Sequence, residues 1–322
     1  MTELQQIPST ENIEFKQAFI DRYSKLTDWE LFKRYSLSFL RRSIRINTLL
    51  TTVKETKKSI EEKGWKLEQI PWCKEGFWIE HQGIGEEKRR DTGNLLEHHL
   101  GKIYVQEAAS MLPPLVLKPK AGELVLDMCA SPGSKTTQMA AMMKNKGLIV
   151  ANDYKGERLQ PLGINLQRSG LTNSVITLMH GSSFRNFQFD KILVDAPCSG
   201  TGTIRKSLKT IRIWNPSMIS KIARQQKYLL ENAFNNLKPG GELVYSTCSL
   251  EPEENESVVS SLLDKYENAK IAKVKLPGLK TSLPVTEFNG EKYNQQVKSA
   301  LRIWPQDNDT EGFFVAKIKK LT

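Results

Sequence analysis

From Leu124 onward, short β-branched runs alternate with helical segments, and few folds accommodate that rhythm. Residues 124–127 read as a strand, 128–134 as a turn and 135–143 as a helix. A strand over 148–151 follows, ending in Asn152-Asp153, and then a helix over 158–168. Further strands are expected at 175–178, 192–194 and 243–245, the last two separated by a long helix over 219–237 and the turn Lys238-Pro239-Gly240-Gly241. A final pair, 301–304 and 313–318, would form an antiparallel edge. Repeated strand and helix units joined by right-handed crossovers give a doubly wound α/β sheet.

In such sheets the chemistry sits at the carboxyl ends of the strands. Two of the expected strands end alike: Val194 runs into Asp195-Ala196-Pro197-Cys198, and Thr247 runs into Cys248. A free cysteine alone is usually a small buried hydrophobe. Two of them at one sheet edge, with Asp195 beside the first, point to a reactive site. The turn after the first strand, Cys129-Ala130-Ser131-Pro132-Gly133-Ser134-Lys135, has neither P-loop nor GxGxxG spacing, which disfavours a triphosphate or dinucleotide. Its helix start suits a ligand carboxylate. Asp153, ending the second strand, is placed for two ribose hydroxyls, with Arg158 a helical turn onward. A nucleoside bearing an amino acid meets both demands, and S-adenosylmethionine is such a molecule.

The first hundred residues have a different character. Apolar spacing predicts two short helices within 12–40, broken near Leu26-Thr27-Asp28 with Asp28 as N-cap. A strand over 42–47, a helix over 53–63 stopped by Gly64, and strands near 65–70 and 77–80 give a small α+β layer. The mixed-charge stretch 86–91 is the expected linker region, and 104–117 reads as helix-like up to Pro113-Pro114. The expected division is therefore an accessory unit, 1–100, whose α+β layer could lie against a nucleic acid, and a unit, 101–322, that carries the reactive site.

The net charge of +11 is unevenly spread. Residues 1–100 hold seventeen basic and sixteen acidic side chains, and 101–322 hold thirty and twenty. Arg205, Lys206, Lys209 and Arg212 follow directly on Cys198, and no acid occurs until Glu231, so a polyanion path into the site is expected. Four cysteines with no CxxC pair or histidine spacing argue against zinc and against a disulfide framework, and no metal is expected. The amino terminus lacks a basic flank and apolar core, and no stretch has membrane-span length, so a cytoplasmic monomer is the expectation.

Three ordered motifs carry a resemblance. Leu126-Asp127-Met128-Cys129-Ala130-Ser131-Pro132-Gly133-Ser134-Lys135-Thr136-Thr137, then Asp195-Ala196-Pro197-Cys198-Ser199-Gly200-Thr201-Gly202, then Tyr245-Ser246-Thr247-Cys248-Ser249 with Pro252-Glu253-Glu254-Asn255-Glu256 resemble the NOL1/NOP2/Sun RNA cytosine-C5 methyltransferases. The similarity runs from Arg45-Ile46-Asn47 to Gly312-Phe313-Phe314 and looks most like the archaeal enzymes acting on tRNA. It implies a Rossmann-like class I fold, S-adenosylmethionine as cofactor and tRNA as partner, with rRNA, or an inactive RNA-binding or ribosome-assembly module, as the alternatives. It also implies roles: Cys248 attacks cytosine C6, Cys198 assists release, Asp195 holds the N3/N4 edge, and Lys135 lies between cofactor and base. The chain departs from the family at Gly181-Ser182-Ser183, placing Ser182 where an adenine-side acid is usual, and at Pro305-Gln306-Asp307-Asn308-Asp309 in place of a histidine-containing turn.

Overall fold

A computed structural model describes every residue except 1–3, 9, 11, 85, 86 and 90. The linker expected at 86–91 thus lies partly outside the described residues, and Glu87–Arg89 within it is a paired strand. Two helices, Gln17–Ser24 and Trp29–Ser36, open the fold, and Asp28 caps the second by accepting from the Leu31 amide at 3.0 Å. A small sheet follows: β1 (Ser43–Ile46), β2 (Lys66–Gln69), β3 (Gly76–Ile84), β4 (Glu87–Arg89) and β5 (Ile103–Val105), in the order β2-β3-β1-β5 with β4 on β3. The helix Val53–Glu61 crosses it, its start fixed by a reciprocal Thr52–Glu55 capping box. The helical reading of 104–117 needs correction. Ile103–Val105 pairs antiparallel with β1, and the helix is confined to Leu112–Leu117, where the prolines occupy its first turn and forfeit no helical hydrogen bond.

The larger sheet has eight strands: β6 (Leu124–Asp127), β7 (Leu148–Asp153), β8 (Ser174–Leu178), β9 (Phe189–Asp195), β10 (Leu237–Thr247), β11 (Ala269–Ile271), β14 (Leu301–Ile303) and β15 (Phe313–Lys320). A hairpin of β12 (Glu287–Phe288) and β13 (Glu291–Lys292) lies apart. The order β11-β15-β10-β9-β6-β7-β8 is parallel from β10 to β8, while β15 runs antiparallel to β10, β11 and β14. This is the expected α/β methyltransferase-type architecture. The helix at 219–237 needs a shift: it is Pro216–Asn235, started by Asn215 and Pro216, and Leu237 already belongs to β10. The expected turn at 238–241 is absorbed as an irregularity in that strand's register with β9.

Alternation along the strands builds a core on each face. Leu126, Ile192, Val194, Leu243 and Tyr245 face the helices Pro216–Asn235 and Glu256–Lys265, whereas Val125, Leu193 and Val244 meet Met139, Val116 and Leu117. Each such aliphatic side chain contributes about 1.5–3 kcal/mol by leaving water. The N-terminal helices are not a loose appendage. Phe19, Tyr23 and Phe32 stack on one another and meet Trp214 and Trp304 edge-on in a cluster with Leu250, so they buttress the loops that follow the two cysteines.

Candidate active site

The chain leaves β6 toward β7 and β8 and later returns to β9 on the other side, so strand order reverses between β6 and β9. A crevice at the carboxyl ends is the usual consequence. Four strands deliver acids or thiols to that end: β6 in Asp127, β7 in Asp153, β9 in Asp195 with Cys198 beyond, and β10 in Thr247 before Cys248.

The two thiols meet, with Sγ atoms 3.0 Å apart. Contact with Cys248, then burial, pushes the Cys198 thiol well above its ordinary pKa. Backbone contact between three loops sets this distance. The Gly202 amide donates to the Cys248 carbonyl at 2.9 Å and the Gly312 amide donates to the Gly202 carbonyl at 2.9 Å. A Cβ at Gly202 would stand 2.3 Å from the Gly312 carbonyl oxygen and 2.7 Å from that of Cys248. Glu254 clamps both thiol loops: it accepts from the Ser199 amide at 2.9 Å, from Ser249 Oγ at 2.9 Å and from Gln226 Nε2 at 3.0 Å.

Asp195 stands beside the thiols, gripped by Lys135 Nζ at 2.7 Å and Ser246 Oγ at 2.8 Å. Lys135 also donates to Ser110 Oγ at 3.0 Å. Burial alone would lower the Lys135 pKa, but Asp195 and then Asp127 hold it above its usual value. The buried Lys135 cation and the Ser246 hydroxyl thus fix the orientation of the Asp195 carboxylate.

The Cys129–Lys135 turn leads into the helix Ser134–Met143, which has left-handed Gly133 (φ 103°) at its start and no side-chain cap. Nearby, buried Asp153 takes the Lys155 amide on Oδ1 at 3.2 Å, while its Oδ2, with Arg158 Nη1 3.5 Å away, receives no hydrogen bond. Arg158 instead donates to the Ser131 carbonyl at 2.8 Å and takes Ser131 Oγ on its own carbonyl, so it tethers the turn. Asp127 likewise has one oxygen on Thr136 Oγ1 and one without a partner, and burial raises its pKa to about 7. An uncapped helix start beside two incompletely satisfied buried carboxylates fits a ligand bearing a carboxylate and hydroxyl or amino donors. The adenine-side position is different. Ser182 is exposed and hydrogen-bonds to the His180 ring at 2.6 Å, and that ring packs edge-on to Tyr154.

Of the expected RNA contacts, Lys206, Lys209 and Arg212 are exposed. Arg205 is corrected: it is 5% exposed, pairs with Asp309 at 2.7 Å and donates to the Ser38, Phe39 and Thr310 carbonyls. Its charge is spent on joining the loop after Cys198 to the N-terminal segment. Sequence reasoning also passed over the roles of Glu251, Glu254 and Glu256, which are fully buried, although the acid-rich motif containing them was conspicuous. Among the described residues no helix is long and apolar enough to cross a membrane, and no group of His, Cys, Asp or Glu is disposed to hold a metal.

With this geometry established, comparisons decide the family. Residues 114–319 match the 16S rRNA methyltransferase RsmB/F model, and 15–108 match the N-terminal domain model of 16S rRNA methyltransferase RsmF. The chain belongs to the RsmB/F (Sun/Nop2) family of RNA cytosine-C5 methyltransferases. It is 50% identical to a tRNA (cytosine(49)-C(5))-methyltransferase of Pyrococcus abyssi, over 95% of this chain and 98% of that one. It is 44% identical to ribosomal RNA small subunit methyltransferase F of Shewanella oneidensis over 87% of this chain, which spans only 57% of that relative. A crystal structure of a methyltransferase homologue from Pyrococcus horikoshii superposes with a TM-score of 0.83 at 37% identity, covering 95% of this chain and 96% of that one. The family resemblance and the fold class expected from sequence both hold.

Proposed function

We propose that this protein methylates carbon 5 of a cytosine in tRNA, using S-adenosylmethionine and a covalent Cys248 adduct. The observation that carries the reading is the 3.0 Å approach of two thiols beside an acid held by Lys135. Cytosine C5 is a poor nucleophile until a thiolate adds to C6 and makes the ring an enamine. Cys248 forms that bond. Cys198, whose thiol is kept protonated by the contact with Cys248 and by burial, does not compete for it. Asp195 grips the N3/N4 edge and stabilises N3 protonation as charge builds. S-adenosylmethionine, held by the 129–135 turn, Asp153, Arg158 and Ser182, supplies the electrophilic methyl group. A base then takes the C5 proton, the freed electron pair restores the C5–C6 double bond, and the Cys248–C6 bond breaks with its pair returning to sulfur; Cys198 assists this release.

tRNA is favoured because the tRNA-modifying relative is the more similar of the two, at 50% identity against 44% for the rRNA relative. The rRNA reading draws on the family models and on the 44% identity. The small sheet and the Lys206, Lys209 and Arg212 face would bind RNA, with residues 1–100 and the strand at 103–105 as the accessory unit and the remainder as the catalytic unit. The protein would act in the cytoplasm as a monomer, without metal.

The test uses tRNA transcripts and denaturing electrophoresis. Cys248→Ala should abolish both methylation and adduct, while Cys198→Ala should attack, methylate and accumulate protein linked to RNA. The reverse pattern would exchange the roles, and methylation retained in either variant without adduct would remove the two-thiol mechanism. Bisulfite sequencing of treated total RNA identifies the cytosine; modification confined to rRNA would reverse the substrate.

A further inference from the structure

A cleft of about 560 Å³ opens between the segments 39–43, 105–107 and 205–212. Its lining has an order. Lys206, Lys209 and Arg212 are exposed and form no ion pair among the described residues, Phe39, Val105 and Leu208 supply apolar wall, and Glu107 and Glu311 lie within. Glu311 is 5% exposed, and its Oε1 has no hydrogen-bond partner. Its amide donates to Glu107 Oε1 at 3.2 Å, and the other Glu107 oxygen takes the Ala109 and Ser110 amides at 2.7 and 3.1 Å.

A site meant only for phosphates would not include two carboxylates, which repel them. The arrangement asks for a ligand with an anionic part at the rim, a flat apolar body and hydrogen-bond donors at depth. A nucleotide with an amino-bearing base has all three, and the volume suits one. The cleft also adjoins the reacting centre. Glu311 precedes Gly312, which bonds to the Gly202 loop, and Glu107 holds the amide of Ser110, whose hydroxyl receives Lys135.

Resting on the RNA reading above, we propose that this cleft seats a nucleotide flanking the target cytosine, with its phosphate on the rim lysines and arginine and the amino group of its base on Glu311 and Glu107. Adenine, guanine and cytosine are accepted, and uracil is discriminated against. Burial, then Glu311, raises the Glu107 carboxyl to about 8, and burial raises Glu311, so the pair retains a proton at neutral pH, which relieves its mutual repulsion and leaves Glu311 Oε1 as the acceptor.

The experiment measures kcat/KM on tRNA transcripts with each nucleotide on either side of the target changed to uridine. The wild type should lose about tenfold at one of the two positions, the worth of a hydrogen bond to a charged group. Glu311→Gln should flatten that preference. Lys209→Glu, an exposed rim change that leaves the fold intact, should raise KM for every transcript and keep the preference. In parallel, transcripts with photoreactive 6-thioguanosine, which keeps an exocyclic amino group, at each flanking position should crosslink to residues 39–43 or 205–212, a readout that survives any failure of Glu311→Gln to fold. Methylation with no flanking preference, or crosslinks mapping only elsewhere, would overturn the cleft assignment while leaving the methyltransferase reading in place. A wild type that methylates no RNA would instead overturn the function itself.

Discussion

The two ends of the large sheet treat carboxylates in opposite ways. At the amino ends of β9 and β10, Glu242 meets Lys191 at 2.6 Å, Lys317 at 3.0 Å and Lys319 at 3.5 Å, and these cations hold its pKa down to about 2 against the opposing effect of burial. At the carboxyl ends burial prevails: Asp127 rises to about 7 and nearby Glu107 to about 8. One end compensates its charge and the other leaves it partly uncompensated. Groups held away from their preferred protonation state are poised for a ligand, and the fold supports them by investing in buried polar contacts around the thiol loops.

The largest expected effect comes from breaking one of those contacts. Arg302 is 1% exposed; it meets Glu256 at 2.8 and 2.5 Å and donates to the Leu250 carbonyl at 2.9 Å. Arg302→Met leaves a buried carboxylate alone and should cost about 3–5 kcal/mol in denaturant unfolding. Adding Glu256→Gln should recover most of the loss, because the stranded charge is gone while the Val285 amide keeps an acceptor. A loss below about 1 kcal/mol for Arg302→Met would mean that the carboxyl end is no more dependent on buried charge than the amino end. Next in size, Gly202→Ala forces apart the loops bearing Cys248 and Gly312. Methyl transfer should fall about 100-fold, the usual effect of an ångström-scale misplacement, and unchanged turnover would show that the loops yield freely.

The difference between the ends also marks what was legible in the sequence. The strands, the acids that end them and the pair of cysteines could be placed because short apolar runs and local motifs specify them. Arg205 could not, because its partners, Ser38, Phe39, Thr310 and Asp309, come from remote parts of the chain. A basic run looks like a solvated face until one member is found buried. Ile103–Val105 was misplaced for a related reason: three apolar residues before a helical stretch show no period of their own, and only pairing with β1 makes them a strand. Glu254 lies in a visible motif, but its clamp on Ser199 and Ser249 depends on how two loops converge.

The smallest effect is the most direct test of the contrast, because it depends on sign. Glu242 has a folded pKa near 2, below the roughly 4.3 of an unfolded glutamate. Its contribution is therefore present above about pH 4 and lost as pH falls toward 2. The magnitude is modest: Lys317 is itself pulled down by burial despite facing Glu242, so part of the carboxylate's gain is returned by its partner. Glu242→Gln should lower stability at pH 7 by about 1 kcal/mol or less, and the difference should vanish near pH 2. Asp127 carries the opposite sign. With a folded pKa of about 7, it favours the folded state fully below about pH 4, and that contribution is lost as pH rises through 7. Asp127→Asn should consequently flatten the decline between about pH 4 and 7 while leaving the acid limb to Glu242. Calorimetric Tm values from pH 2 to 8 separate the two limbs. If Glu242→Gln changed the slope between about pH 4 and 7, or Asp127→Asn the slope below about pH 4, the division of labour between the ends of the sheet would be wrong.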